Sequence, residues 1–507
     1  MRPAGEREPA AGASIGVGVP PGPSLEVAVV VYRPVLEELR ACLQALAELR
    51  GQGTTVVVHL WHCDAGPQDT PGLPELLRQL QAAGTPLKLG GGAGNLGFGR
   101  AINALCAGLA SSHLLILNQD AIPEPGALTR LWHEASRDDP RVAAWEMRQV
   151  PYEHPKDYDP ATGETGWVSG AAVLLRTQAL REVGGFEPRF FMYCEDVDLS
   201  WRLRCAGWRL RYLPQCAVVH RTYDYAGQVK PLAALQGAYA NLCLRQRFGT
   251  PSDLSAGIRA LWRELSGPQA FPGRRRGLLR ALLKFARNRR YFARTRAAGP
   301  DFVPRFNGWD YEERREGSFH PFLAQAERPE RLPAISAIVR ATGDADALAA
   351  TLHCLAQQTH PLLEVLVVGG TDRAMRAVCA RAGERLALRP LPAGDAALEM
   401  IAAVHAQADW WLLFDDEHVR PYADHAEVLL QAALDQGRQA AASLTWRIEA
   451  EAVDHAEAHR RHAPRQTLAG LPATRPTRLL HRKAPVDPAY AEVAKTTAVC
   501  YVGSAAR

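Results

Sequence analysis

Twice along this chain a short apolar strand gives way to a helix-patterned stretch and then to another strand. That alternation limits the fold more than any other feature. From Leu25 the order is strand (EVAVVVY), helix (Val35 to Leu49), strand (TTVVVHLW), loop, helix (Pro74 to Ala83) and short strand (PLKLG). A Gly-rich turn, LGGGAGNLGFGRAINAL (Leu89 to Leu105), opens the next helix. The apolar strand LLILN then ends at Asn118-Gln119-Asp120, with Pro and Gly punctuation just beyond. Strands alternating with helices argue for a mostly parallel central sheet covered on both faces. In such sheets ligands bind beyond the carboxyl ends of the strands. Trp61-His62-Cys63-Asp64 and Asn118-Gln119-Asp120 both lie at such ends. At Ala334 the pattern begins again and runs to Asp424, so that Asp415-Asp416-Glu417 stands where Asn118-Gln119-Asp120 stands in the first copy.

The chemistry-bearing stretch is Trp167 to His220. Its apolar strand (Ala171 to Leu175) is followed by the turn Gly184-Gly185-Phe186, then by Glu195-Asp196 at the mouth of an amphipathic helix, then by a strand pair ending in His220. A carboxylate at a helix N-terminus is favoured by the helix dipole and points outward from the turn, where a positioned base should sit. The plain alternative is a capping pair facing Arg202 and Arg204. For Asn118 to Asp120 the plain alternative is an Asx turn closing a strand.

Taken in order, the Gly-rich loop, the strand ending at Asp120, the Gly-Gly-Phe turn, Glu195-Asp196, Arg202 and His220 resemble the inverting family 2 glycosyltransferases. The similarity is greatest to the rhamnosyltransferase-like branch that builds bacterial surface polysaccharides. The resemblance covers roughly residues 25 to 250 and rests on several ordered motifs rather than one. It implies a GT-A fold, Rossmann-like, with a second, partial GT-A-like α/β domain after it. It also implies transfer of a sugar, rhamnose first among them, from a donor such as dTDP-rhamnose or a UDP-sugar to a polysaccharide or lipid-linked glycan. Mg2+ or Mn2+ would sit at the diphosphate, where hard oxygen ligands suit it.

By motif position, Asp120 inherits the metal-binding role of the last Asp in the family's Asp-x-Asp, and Asn118 replaces the first. His220 matches a strand-end metal-binding histidine. Asp196 is the expected general base and Glu195 the acceptor-positioning acid. Asn95, Gly97, Phe98, Gly99 and Asn103 match the loop that borders the nucleotide, and Gly170 is placed with them. The family's Asp-Asn pair after the second strand is replaced by His62 and Cys63, and Asp64 is expected to substitute. One base with no second nucleophilic carboxylate fits a single displacement with inversion.

A chain of 507 residues has room for two or three cores. The expected division is a disordered tail over 1–24, a GT-A domain over 25–270, a basic helix and linker over 271–332, and a degenerate or incomplete copy over 333–507. A net charge of +5 gives no reason to expect a nucleic-acid partner. The cysteines form no Cys-x-x-Cys pair, and the even spacing of Cys194, Cys205 and Cys216 matches no zinc template, so reduced buried thiols are expected. No apolar run approaches the roughly 20 residues that span a bilayer, and the N-terminus lacks a signal-peptide pattern, so a cytoplasmic protein is expected.

Phe271 to Arg296 carries ten Arg or Lys residues and no acid. It reads either as a helix lying peripherally on the inner face of the cell membrane or as one packing its leucines on its own domain. No Glu-Asp helix follows Asp424, so the second copy is expected to lack an acceptor half and to perform no transfer. The alternative from another class is a non-catalytic scaffold in a polysaccharide-assembly complex, which His62-Cys63, Asn118 and the degenerate copy favour. A nucleotidyltransferase would need a phosphate loop directly after strand one, and none is present.

Overall fold

The β-branched run of Leu25–Val31 forms an interior strand, β1, because residues of this kind suit a parallel sheet buried on both faces. The structure, a computed structural model, describes residues 24–52, 56–62, 70–91, 94–153, 158–222, 229–299, 301–304, 306, 322–371, 373–435, 440–442, 444–448, 478–481, 493–494 and 499–503. Asp64, Cys63 and nearly all of the expected tail lie outside them.

Around β1 stand β2 (Val56–His62), β3 (Leu87–Gly91), β4 (His113–Asn118), β5 (Ala121–Pro123), β6 (Val142–Val150), β7 (Ala172–Arg176) and β8 (Arg209–His220). The order is β3-β2-β1-β4-β7-β6-β8-β5. β3, β2, β1 and β4 are parallel. Beyond them β7 runs antiparallel between β4 and β6, β6 and β8 are parallel, and β5 is antiparallel to β8. The α/β class is as the alternation requires, with the antiparallel strands confined to the half that follows Asn118.

Helices cover both faces. One core packs α1 (Leu36–Ala45), α2 (Leu73–Ala82) and α4 (Ala127–Arg137) on the sheet, through Leu39, Leu76 and Leu131 among others. The opposite core packs α3 (Phe98–Cys106), α5 (Thr177–Glu182) and α6 (Glu195–Cys205) through Ile102, Leu180 and Leu199. Then α7 (Pro231–Phe248), α8 (Pro251–Ser266) and α9 (Arg274–Arg294) close over α6 with a core of their own.

The basic helix is therefore built into the first unit rather than linking two. Leu278, Ala281, Phe285 and Phe292 are buried against α7, while Leu279 and Leu283 face outward at 48% and 58% exposure. Among the described residues no helix is long and apolar enough to cross a membrane.

The second copy repeats more than half of this topology. Strands β9 (Ile335–Arg340), β10 (Glu364–Val368), β11 (Leu388–Leu391) and β12 (Trp410–Phe414) reproduce the parallel set in the order β11-β10-β9-β12. Past β12 come β16 (Arg478–His481), antiparallel, then β14 (Ala440–Ala442) and β17 (Val493–Ala494). A small sheet of β13 (Val419–Pro421), β18 (Val499–Gly503) and β15 (Leu444–Ile448) completes the set. In it β15 and β18 pair in parallel and β13 pairs antiparallel with β18, as β6, β8 and β5 do in the first copy. The strand order is thus complete, whereas the sequence pattern led us to expect a missing half. What differs is the connection: residues 177–208 join β7 to β8, but the shorter stretch 482–492 joins β16 to β17. Among the described residues, the stretch that carries α5, the Gly-Gly-Phe turn and α6 has no counterpart in the second copy.

The two copies meet across a buried ion pair. Both guanidinium nitrogens of Arg148, on β6, donate to Glu427 Oε2 at 3.1 Å, and both side chains are fully buried. Thr359 Oγ1 donates to the same oxygen at 2.6 Å, and Arg148 stacks over the Phe322 ring at 4.0 Å. Val150 joins the core of the second sheet. Glu427 is held below the ordinary carboxylate range: burial opposes this, and Arg148 and Arg328 outweigh it.

Removing one member of such a pair strands a buried charge, at a cost of about 3–5 kcal/mol. Arg148→Met or Glu427→Leu alone should lose stability on that scale in urea unfolding. The double variant should regain most of it, which would separate an ion pair from simple packing.

Candidate active site

The strands and the Gly-rich loop bring most of the sequence-selected residues to one place. β5 pairs with β8 so that Ala121 lies opposite His220. That register sets Asp120, one residue before β5, beside the histidine: Oδ1 stands 3.4 Å from Nε2. His220 is buried and Asp120 half-exposed. On the other side of the ring, Nδ1 lies 2.7 Å from the amide oxygen of Gln149. A carbonyl-type oxygen there makes Nδ1 a donor, and Nε2 faces Thr222 Oγ1, at 2.8 Å, and Asp120. Burial pushes the Asp120 carboxyl up, but the hydrogen bond and charge of His220 outweigh it and the net shift is down.

From Gln149 a line of contacts leads to the acid pair. Its amide nitrogen donates to Ser169 Oγ at 3.4 Å, and the next residue, Gly170, donates its N–H to Asp196 Oδ2 at 3.0 Å. Val197 N–H donates to Asp196 Oδ1 at 2.8 Å, so two backbone donors solvate this carboxylate. A side chain at Gly170 would meet the Phe98 ring at 2.9 Å. Gly97 sits at φ +84°, and a Cβ there would lie 2.1 Å from the Phe191 carbonyl oxygen. That same oxygen accepts from Phe98 N–H at 3.0 Å. At Gly99 a Cβ would come within 2.9 Å of Phe186 and 3.5 Å of Glu195. Glycine is therefore required for the loop to lie against the segment that delivers Glu195 and Asp196.

Two sequence-selected residues spend their side chains on the scaffold. The Asn103 amide exchanges two hydrogen bonds of 2.8 Å with the backbone of Phe186, clamping the Gly-Gly-Phe turn. Asn95 Oδ1 accepts from Gly97 N–H at 2.9 Å and shapes the loop. Asn118 ends β4 with its N–H on the Ala171 carbonyl at 2.8 Å.

The capping alternative is not what the arginines do. Arg202 pairs with Asp198 at 2.8 Å and Arg204 with Glu164 at 2.8 Å. The acid pair instead follows Tyr193 and Cys194, consecutive non-glycine residues at φ 68° and 66°. Such conformations cost of order 1–3 kcal/mol each and persist only where the surroundings impose them. Here α6 is anchored by Asp198, fully buried with Arg247 and Arg202 on its two oxygens. Arg247 also holds Glu187 at 2.6 Å, and Tyr291 OH donates to Glu187 at 2.9 Å.

Glu195 differs from its neighbour. It is buried, and its Oε2 has no hydrogen-bond partner among the described residues. Burial, then the adjacent Asp196 charge, push its carboxyl well above the usual range. Neighbouring acids whose environments drive them apart suit an ionised base beside a neutral donor.

Among the described residues no group of three acidic, histidine or cysteine side chains is gathered for a metal. Asp120 and His220 supply one carboxylate and one imidazole, a donor set that suits Mn2+ or Mg2+ with the remaining positions left to ligand oxygens.

Sequence reasoning missed Gln149, Ser169 and Gln119, whose amide brackets the Tyr32 backbone with two 2.9 Å hydrogen bonds. The signal for Gln149 was present: polar residues inside a strand, VAAWEMRQV, that is buried along its whole length.

No family model matches the chain. Over 70 residues, 14% of this chain and 23% of the relative, it is 44% identical to the N-acetylglucosaminyl-diphospho-decaprenol L-rhamnosyltransferase of Mycobacterium tuberculosis. It is 44% identical over 54 residues, 11% of this chain and 20% of the relative, to rhamnosyltransferase WbbL of Escherichia coli. Over 101 residues, 19% of this chain and 21% of the relative, it is 39% identical to the pre-mycofactocin glycosyltransferase of M. tuberculosis. These relatives are glycosyltransferases by name. The chain spans between a fifth and a quarter of their length. Among solved structures, a mannosyltransferase of Pyrobaculum calidifontis with GDP-Man and Mn2+ aligns at TM-score 0.36 and 16% identity, over 54% of this chain and 83% of that one. GalNAc-T7 with UDP, GalNAc and Mn2+ aligns at TM-score 0.38 and 12% identity, over 53% and 57%.

A carboxyl whose folded pKa is raised contributes stability below its unfolded pKa and loses it as pH rises toward the folded value. Native stability should therefore fall from about pH 4.5 upward through the Glu195 contribution. Glu195→Gln should gain in melting temperature over the parent at pH 9 and much less at pH 5. Equal gains at both would mean that Glu195 is ionised in the folded chain.

Proposed function

We propose that the chain is a metal-dependent, inverting glycosyltransferase of the GT-A type and the family 2, rhamnosyltransferase-like branch. It would move a sugar, rhamnose first among candidates, from a nucleotide diphosphate donor to a polysaccharide or lipid-linked glycan. The observation that carries the reading is the hydrogen-bonded line from Asp196 through Gly170, Ser169 and Gln149 to His220 and Asp120. It joins a base to a metal-type pair across the glycine loop. The relatives' names support sugar transfer, and two of them support rhamnose. The arginines of α9, with Leu279 and Leu283 exposed beside them, complement an anionic membrane surface where a lipid-linked acceptor would lie.

In this reading Asp120 and His220 would hold Mg2+ or Mn2+, which would neutralise the charge of the diphosphate leaving group. The remaining work belongs to side chains and backbone. Gly97 and Gly99 let the loop approach the donor closely. Glu195, neutral and buried, donates its proton in a hydrogen bond that orients the acceptor hydroxyl. Asp196, held by the N–H groups of Gly170 and Val197, removes the proton of the attacking hydroxyl. Glu195 is not free to act as a second, nucleophilic carboxylate, which fits one displacement and inversion. A scaffold role is not favoured, because every part of this line is present.

Asp196→Asn keeps size and the backbone hydrogen bonds but removes the basic lone pair. Its kcat should fall by about 10²–10⁴ while donor affinity holds. Asp120→Ala should weaken Mn2+-dependent donor binding, and His220→Ala should do so more mildly. Transfer by Asp196→Asn at the parent rate would defeat the reading.

The second copy is read as catalytically silent. Glu417, which the sequence pattern sets in the place of Asp120, is fully buried and accepts from Thr342 and Asp344 N–H groups at 2.8 and 2.9 Å. Asp415→Ala in the full chain should leave transfer nearly unchanged, and loss of transfer with the fold intact would mean that this copy takes part.

A further inference from the structure

The side chain of Gln149 touches both parts of the site. It is buried on β6, and each end of its amide is used. The oxygen lies 2.7 Å from Nδ1 of the buried His220, and the nitrogen donates to Ser169 Oγ at 3.4 Å. The strand holds it in place. Its own N–H donates to Glu153 Oε2 at 2.8 Å, an oxygen that also accepts from the Tyr212 hydroxyl at 3.1 Å. Arg148 and Val150, on either side of it, are packed into the second copy. The register sets Gln149 beside Val218, two residues before His220.

The segment that Ser169 belongs to is pinned to α6 at two points. Val168 N–H donates to Ser200 Oγ at 3.1 Å, and that hydroxyl donates to the Asp196 carbonyl at 2.7 Å. Gly170 N–H donates to the Asp196 carboxylate at 3.0 Å. Ser169, between them, is where Gln149 takes hold. An amide accepts at one end and donates at the other, so it can join an imidazole N–H to a hydroxyl oxygen. Burying it costs free energy unless both ends are satisfied, and here both are.

We propose that Gln149 is a positioning residue that couples the metal-type pair to the base. Its oxygen holds the His220 ring so that Nε2 faces Asp120. Its nitrogen holds the 168–170 segment, and with it the Asp196 carboxylate, in register with that pair. Gln149 acts through these groups and contacts neither donor nor acceptor. The partner of the second ring nitrogen orients a metal-binding histidine, and a base displaced from its productive position loses rate steeply. The proposal rests on reading Asp120 and His220 as the pair that holds the metal.

The test reads the two ends of the amide separately, on the full chain. Binding of Mn2+ alone is followed by the electron paramagnetic resonance of the free ion, and hydrolysis of dTDP-rhamnose at saturating Mn2+ gives kcat and KM. Gln149→Met, matched in length but without hydrogen-bonding ends, should weaken Mn2+ binding roughly 10–100-fold. Gln149→Glu keeps an acceptor for Nδ1 and for the serine hydroxyl, and should retain most of the affinity. A residue that only fills the interior would give the reverse order, because methionine is tolerated there and a buried carboxylate is not. Ser169→Ala should leave Mn2+ affinity near that of the parent and lower kcat by about tenfold or more, with KM for the donor held. Mn2+ binding that is lost in His220→Ala but unchanged in Gln149→Met would overturn this proposal alone, as would the reverse order of the Met and Glu variants. A parent that binds no Mn2+ would overturn the reading of the site, and the proposal with it. Should Gln149→Met fail to fold, Ser169→Ala decides, and the parent kcat there would overturn the coupling.

Discussion

The carboxylate of Asp198 is the point on which the geometry of the site depends. It lies one turn into α6 with no solvent contact, and it is tolerable there only because Arg247 and Arg202 each take one of its oxygens. Those two arginines reach in different directions. Arg202 also donates to the Gly185 carbonyl of the turn, at 2.7 Å. Arg247, from the end of α7, also binds Glu187 and the Thr295 hydroxyl just past α9. One buried charge thereby ties α6, the turn and the helical cap together. With the helix so held, the chain ahead of it can be forced through two left-handed residues in succession at Tyr193 and Cys194. The direction in which Glu195 and Asp196 leave the turn is set by that anchoring.

The first half of the sheet was legible because its information is local. An apolar run with β-branched residues, followed by a helix pattern, specifies β1, β2 and β4 without reference to the rest of the chain. The Gly-rich loop and the acid pair were legible for a related reason, since the close approaches at Gly97, Gly99 and Gly170 leave no room for any other residue. The partners of His220 were not legible. Gln149 comes from a strand 71 positions away, and nothing in the spacing announces the pairing. The clamp made by Asn103 was not legible either, because a helix asparagine that faces a ligand and one that clamps a distant turn look alike in sequence. The basic helix was ambiguous because its leucines divide. Leu278 faces the core and Leu279 does not, a distinction that a composition count cannot make.

The duplicated fold also separates two kinds of requirement. Both copies keep the strand order, so the sheet is specified by apolar strands and short connections alone. They differ in the length of chain between the antiparallel strand and the next parallel one. At the strand end where the first copy has Asp120, half-exposed, the second has Glu417, buried and used to hold the Thr342–Asp344 loop. A carboxylate in the same topological place serves a ligand in one reading and the backbone in the other, and burial decides which.

One consequence follows from the pleat of β6. Successive residues of a strand face opposite ways, so Arg148 and Val150 are directed to the second copy while Gln149 is directed to His220. A slip of one position would turn the guanidinium toward the histidine and the amide toward Glu427, so both sides would lose their partners at once. The strand is therefore keyed like a two-sided lock: a register that left either face without its partners would be disfavoured. The contact between the copies thereby constrains the alignment of the strand that carries Gln149.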